Sequence, residues 1–149
     1  MLIKLGKYLR CLGYDAVWDG GASSRDAMDR AARDGRVFVT RNTHIAPERS
    51  PERRVVRVAE DDPAVQAWRV VSELGLDVRT RLFTRCIRCN VELDRIAEVD
   101  EVRGRVPESV LGWCRAFYRC PSCATVFWKG SHVANTCRKL GLPAPEDGA

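Results

Sequence analysis

Two Cys-x-x-Cys pairs are the residues whose types and spacing point most directly to chemistry. Cys86 and Cys89 form the first pair, and Cys120 and Cys123 form the second. A pair with this spacing folds into a tight turn, or knuckle, that directs both sulfurs at one tetrahedral ion about 2.3 Å away. Four thiolates leave no coordination position for water, so the two knuckles together predict a structural zinc site.

Three further cysteines, Cys11, Cys114 and Cys137, fall outside the pairs. Seven cysteines is an odd number, which argues against a disulfide framework. Ordinary buried thiols or a redox pair are the alternatives to a metal site. A site made of three cysteines and His132 would leave one paired cysteine unused, which the spacing does not suggest.

The composition limits the partners and the location of the chain. Its 149 residues are 45% hydrophobic, which suffices for one main core with a small additional module. No apolar run approaches the roughly 20 residues that cross a bilayer, so no membrane contact is expected. The stretch MLIKLGKYLR has its cations inside the apolar pattern, unlike a signal peptide, which favours a cytoplasmic protein. A net charge of +5 favours an anionic partner, although a solvated basic surface has the same composition.

The apolar pattern predicts an α/β layer in the first half of the chain. LIKLGKYLRCLG places leucines on one face of a helix that Gly13 ends, and RDAMDRAARDG indicates a second helix ended by Gly35. YDAVW, RVFVT and VVRVA are strand candidates, and the continuously apolar RVFVT is expected to be buried. Asp62 and Pro63 begin a third helix that Gly75 closes. This alternation implies a mostly parallel sheet flanked by helices.

The sequence changes character from Arg79 onward, where it becomes rich in cysteine and turns and poor in regular periodicity. We therefore place a boundary near Asp77. Residues 1–77 are expected to form the α/β domain, 78–142 the cysteine-bearing module, and 143–149 a flexible tail.

Several segments, taken in order, resemble the Mut-seven C-terminal RNase domain family. They are MLIKLGKYLRCLGYD, GRVFVTRN, the helix containing Gln66, FTRCIRCN, RVPESV and FYRCPSCATVFWKGSH. The resemblance runs from Met1 to about Leu140 and implies a PIN-like nuclease domain followed by a zinc ribbon. It also implies RNA cleavage by Mg²⁺ or Mn²⁺ held by a cluster of aspartates. Such an ion activates water and neutralises charge on the phosphodiester.

The chain departs from the family pattern at the expected catalytic metal site. The aspartate that opens the second helix falls at Ser24, with Asp26 available only in a shifted register, and the Thr-Arg-Asp triplet ends here in Asn42. A site deprived of carboxylates should hold Mg²⁺ poorly. Asp19 and Asp26 are the remaining candidates for catalysis, although aspartates also commonly lie in loops and cap helices.

One more aspartate of the family pattern ends an apolar strand that precedes the segment MLIKLGKYLR. A parallel sheet of this type places that strand centrally, and without it the neighbouring strands would have unpaired backbone groups. We therefore expect the reading frame to extend upstream of Met1 into an apolar segment ending in aspartate.

Basic residues become candidates for RNA contact in the light of this resemblance. The candidates are Lys4, Lys7, Arg10, Arg41, Arg85 and Lys129. The first three recur at every third position of the first helix, and Phe127 and Trp128 stand beside the last. Cations next to aromatic rings suit single-stranded RNA.

Three functions remain open from the sequence. The missing carboxylates favour an RNA-binding member of the family with weak or no cleavage. The alternatives are an active metal-dependent ribonuclease, using Asp19 and Asp26 or acids upstream of Met1, and a zinc-ribbon adaptor for a protein partner. Zinc would be structural in each case, and Mg²⁺ or Mn²⁺ would be needed only for cleavage.

Overall fold

The computed structural model describes residues 2–45 and 53–143. Its elements follow in the order α1 (Ile3–Cys11), α2 (Ser24–Arg33), β1 (Val37–Thr40), β2 (Arg54–Arg57), α3 (Pro63–Leu74), β3 (Asp94–Arg95), a 3₁₀ helix (Val99–Val102), α4 (Glu108–Leu111), β4 (Phe117–Arg119), β5 (Val126–Trp128) and α5 (Ser131–Lys139). Two compact units are present. The first unit holds the described residues of 1–8 and 17–78, and the second unit holds those of 9–16 and 79–149.

The first unit is an α/β layer built on two parallel strands. β1 and β2 pair in parallel, beginning with Val37 opposite Arg54. Successive side chains of a strand point to opposite faces, and both Val55 and Val56 of β2 are buried. Both faces of β2 are therefore covered, which confirms the predicted small parallel sheet with helices around it.

Two strand predictions differ from the structure. Val37, Phe38 and Val39 are only partly buried, because among the described residues β1 pairs with β2 alone and has no strand on its other edge. Residues 14–18 form no strand. The N–H of Ala16 instead donates to the side chain of Asn90 at 3.1 Å, so a side-chain amide takes the place of a ladder partner.

The helix ends occur where the local sequence predicts them. The carboxylate of Asp62 accepts the N–H of Ala64 at 2.7 Å, and Pro63 is the first residue of α3. Gly75 ends that helix in the left-handed conformation with a φ of 61°. Gly13, which follows α1, has a φ of 87°. These capping interactions are local, so the sequence alone suffices to locate them.

The second unit contains an antiparallel sheet in the order β3-β4-β5. The 3₁₀ helix and α4 lie in the chain between β3 and β4 and help to form a small apolar core. This core consists of Ile96, Val102, Val106, Val110, Cys114 and Phe117. It gives the ribbon a hydrophobic support in addition to its cysteines.

Helix α5 was missing from the sequence-based expectations. Val133 and Cys137 on α5 and Leu140 just after it are buried. Their spacing of four and three residues is that of one helical face, which is the signal that could have revealed the helix.

No helix among the described residues combines the length and the apolar character needed to cross a bilayer. The flexible tail expected at 143–149 lies outside the described residues, apart from Pro143.

Candidate functional site

The four paired cysteines converge in the second unit. Their sulfurs all lie within 4.8 Å of one another, and those of Cys86 and Cys123 are 3.9 Å apart. In an ideal tetrahedral zinc site with Zn–S bonds of about 2.3 Å, the sulfurs are about 3.8 Å apart. The cluster therefore has the donor set and nearly the dimensions to bind a metal ion such as zinc.

The two knuckles have the same backbone conformation. The N–H of Cys89 donates to the Cys86 sulfur, and the N–H of Cys123 donates to the Cys120 sulfur, each at 3.4 Å. Asn90 follows the first knuckle with a φ of 66°, and Ala124 follows the second with a φ of 55°. This turn directs backbone N–H groups at sulfur, where they stabilise a thiolate.

The environment separates the proton affinities of the sulfurs. Burial raises the pKa of the Cys86 thiol to about 12. Hydrogen bonds from Thr125 lower the pKa of Cys123 to about 6, and the Thr125 hydroxyl lies 3.2 Å from the Cys123 sulfur. A cation that binds all four sulfurs must displace the proton from Cys86, so metal binding here becomes stronger as the pH rises.

The position of Arg10 corrects a prediction. Its exposure is only 5%, so it does not extend the cationic face of Lys4 and Lys7. Its Nε donates to the carbonyl of Ala16 at 2.8 Å, and its Nη1 donates to the carbonyls of Ile87 and Arg88, both at 2.9 Å. Arg10 is therefore occupied inside the second unit and is not available to a phosphate.

Arg85 is also occupied by the protein itself. Its side chain is 14% exposed, and its guanidinium donates to the backbone carbonyl of Asn90 and to the carboxylate of Glu92. It supports the turn after the first knuckle, so the prediction of an RNA contact at Arg85 does not fit its position.

The remaining predicted RNA contacts have accessible side chains. Lys4 and Lys7 are exposed, and Lys129 is partly exposed. Arg41 is exposed as well, but its Nη2 lies 2.6 Å from the carboxylate of Asp61. Roles in RNA binding for these four residues stay predictions.

A groove of about 650 Å³ in the first unit brings together Ser24 and Asn42, the two positions at which the sequence predicted a missing acid. Ser24 begins α2 and Asn42 follows β1, and both line this groove. The other described lining residues are Ser23, Arg25, Met28, Asp29, His44, Ile45 and Arg53. Among these lining residues, the charged side chains are Arg25, Arg53 and Asp29. The Asp29 Oδ1 lies 3.1 Å from Arg53 Nη2.

Asp19 and Asp26 do not belong to the described lining of the groove. Asp19 accepts the N–H of Gly21 at 3.0 Å and the guanidinium of Arg30 at 2.8 Å, and these contacts lower its pKa. Asp26 forms a reciprocal cap with Ser23, whose hydroxyl donates to its carboxylate at 2.7 Å and accepts its N–H at 3.2 Å. Both acids therefore have the loop and capping roles that the sequence left open as alternatives.

Among the described residues, only one group of three or more Asp, Glu, His or Cys side chains is arranged so that it could hold an ion. That group is the four-cysteine cluster. The catalytic role of Asp19 and Asp26 therefore has no geometric support. Sequence reasoning missed Arg25, Asp29 and Arg53 as groove residues. Arg25 and Asp29 lie on α2, whereas Arg53 precedes β2, so only the folded structure shows that all three line one groove.

Comparison with known proteins adds a family assignment. The sequence model of the family described as Mut7-C RNAse domain matches residues 1–140 of the chain. No curated protein and no solved structure matched it. The match extends across both compact units and includes the α/β layer, the groove and the four-cysteine cluster. The chain belongs to the Mut7-C RNAse domain family.

Proposed function

We propose that this protein binds single-stranded RNA and cleaves it weakly or not at all. One observation supports the proposal most directly. Ser24 and Asn42 share a groove whose single described carboxylate, Asp29, is already paired with Arg53. Mg²⁺ and Mn²⁺ prefer carboxylate oxygens, and a neutral hydroxyl and amide beside one paired carboxylate form a poor site for either ion.

The same lining suits a phosphate. Arg25 is exposed at the first turn of α2, and Arg53 lies on the groove wall. The hydroxyl of Ser24 and the side-chain amide of Asn42 add neutral hydrogen-bond donors. The N-terminus of α2 contributes a partial positive charge at the same end of the helix. Phosphodiester oxygens can therefore be bound by protein groups in the place where an active relative would use a cation.

The ribbon offers a second RNA-binding surface. The rings of Trp128 and His132 meet edge to face with centroids 5.8 Å apart, and Lys129 lies between them in sequence. Trp128 packs against the apolar core of this unit but is only partly buried, and we take it as the candidate for stacking on a base. Zinc at the four cysteines would hold the two knuckles and the attached strands together without taking part in chemistry.

Binding is tested with labelled single-stranded RNA, the purified full chain and fluorescence anisotropy over a range of salt concentrations. We expect the affinity to fall steeply as salt rises, because each neutralised phosphate releases counterions. Arg25→Ala should lower the affinity and the steepness of the salt dependence. Arg105→Ala, which removes an exposed arginine of the second unit, is the matched control and should have a smaller effect.

Cleavage is tested on the same RNA with Mg²⁺ or Mn²⁺ added. We expect intact RNA over a time in which an active ribonuclease would degrade it. Robust metal-dependent cleavage that Asp19→Asn or Asp26→Asn abolishes would instead show an active enzyme that uses those acids. Absence of any salt-sensitive RNA binding would contradict the proposal and favour an adaptor for proteins.

A further inference from the structure

The side chain of Arg10 makes a connection between the end of α1 and the first cysteine knuckle. Ile87 and Arg88 are the two residues between the ligands Cys86 and Cys89, and Arg10 Nη1 donates to both of their carbonyls at 2.9 Å. The Nε of the same guanidinium donates to Ala16 at 2.8 Å. Three hydrogen bonds from one planar group therefore fix the guanidinium and the knuckle relative to each other.

The direction of these bonds suits the knuckle. Backbone N–H groups of the knuckle point towards sulfur, as the 3.4 Å bond from the Cys89 N–H to the Cys86 sulfur shows. The carbonyls of the intervening peptides then need donors on the side away from sulfur. Arg10 supplies two of these donors. In the second knuckle, the equivalent residues Pro121 and Ser122 are exposed, so water can satisfy their carbonyls.

Charge gives Arg10 a second effect. Four thiolates and one divalent ion have a formal charge of about −2, and a buried anion of this kind is costly without a nearby cation. Arg10 is 5% exposed, and an arginine keeps its charge when buried. Burial lowers the pKa of Arg10, and the negative groups Cys86, Asp15 and Cys89 oppose this shift.

We propose that Arg10 is a positioning residue for the metal centre, which holds the first knuckle in its ligating conformation and compensates the negative charge of the bound site. It touches the peptides between the ligands and not the ion. The proposal concerns zinc retention and is independent of whether the protein binds RNA. Outer-sphere partners of this kind typically change metal affinity by about 10- to 100-fold when they are replaced.

The test uses the zinc-loaded full chain and three variants. Arg10→Met removes the charge and the hydrogen bonds, Arg10→Lys keeps the charge but not the planar fork, and Arg105→Met removes an exposed arginine of the same unit. Zinc release to excess chromophoric chelator is followed over time. The absorption bands of Co²⁺ substituted for zinc report whether the tetrahedral thiolate geometry is kept.

We expect Arg10→Met to release zinc about 10- to 100-fold faster and to alter the Co²⁺ bands. Arg10→Lys should fall between this variant and the unchanged protein, and Arg105→Met should not differ from the latter. The proposal would be overturned if Arg10→Met changed neither the rate of zinc release nor the Co²⁺ absorption bands. This conclusion would hold even if the variant had a lower thermal stability. If Arg10→Met does not fold, Arg10→Lys decides: faster release supports the proposal and unchanged release refutes it.

Discussion

Asp29 and Arg53 form an ion pair on the wall of the groove, with 3.1 Å between Oδ1 and Nη2. Asp29 lies on α2, and Arg53 immediately precedes β2. Both side chains are partly exposed, so the pair adds little to stability. Its main effect is electrostatic, because it sets the charge that an anion meets in the groove.

Removal of the Asp29 charge should strengthen RNA binding. Asp29→Asn keeps the size of the side chain but removes the negative charge from the groove wall, and we expect an affinity increase of about two- to fivefold at low salt. The gain should vanish at high salt because screening weakens exposed charges. Asp34→Asn makes the same charge change just past α2, outside the described lining, and serves as the control in the anisotropy titration. Equal effects of both substitutions would exclude a specific role of the groove.

Replacement of Ser24 and Asn42 by aspartate should convert the groove from an anion site into a cation site. With Asp29 already present, the double variant places three carboxylates along one lining. We expect measurable Mn²⁺ binding by calorimetry, weaker RNA binding without metal, and an increase in metal-dependent cleavage. Thr43→Asp adds a carboxylate next to Asn42 but outside the described lining and should gain none of these properties. A double variant that binds Mn²⁺ no better than the unchanged protein would contradict this description of the groove.

Loss of one ligand should release the ion from the second unit. Cys120 is fully buried, and Cys120→Ser replaces one sulfur of the candidate zinc site by a poor ligand. We expect zinc content, measured by elemental analysis, to fall from one ion per chain towards none and the C-terminal half to become sensitive to proteolysis. Cys114→Ser is the matched control. Its hydroxyl can replace the thiol that lies 3.4 Å from the carbonyl of Ala116, and it should retain zinc. Stoichiometric zinc in Cys120→Ser would disprove the ligand assignment.

Loss of the cap of α2 should destabilise the first unit. Ser23→Ala removes the hydroxyl that exchanges two hydrogen bonds with Asp26, at a cost of about 1 kcal/mol in the free energy of unfolding. Ser72→Ala, at an exposed position inside α3, removes a hydroxyl without removing a cap and should be neutral or slightly stabilising. Urea unfolding of both variants measures the difference. Equal stabilities would mean that the cap does not contribute.

Local spacing made the four-cysteine cluster predictable. Each Cys-x-x-Cys pair forms its knuckle from adjacent residues, so the conformation is encoded within a few positions, as the matching turns at Asn90 and Ala124 show. The ends of α3 were predictable for the same reason, because Asp62 and Gly75 act within one helical turn. The prediction of a strand at 14–18 was wrong, because the side chain of the distant Asn90 accepts the hydrogen bond from the N–H of Ala16.

The sequence by itself determined the parts of this protein whose interactions are short in chain length, namely the knuckles and the helix caps. Only the tertiary structure decided which cations face solvent. Lys4, Lys7 and Arg10 recur at equal spacing, yet Arg10 is buried against the carbonyl of Ile87, 77 residues further along the chain. The composition of the groove was decided in the same way, since its lining residues come from α2, from the segment after β1 and from the position before β2. Periodicity gives the face of a helix on which a residue lies, whereas its partner depends on contacts between segments that no local pattern encodes.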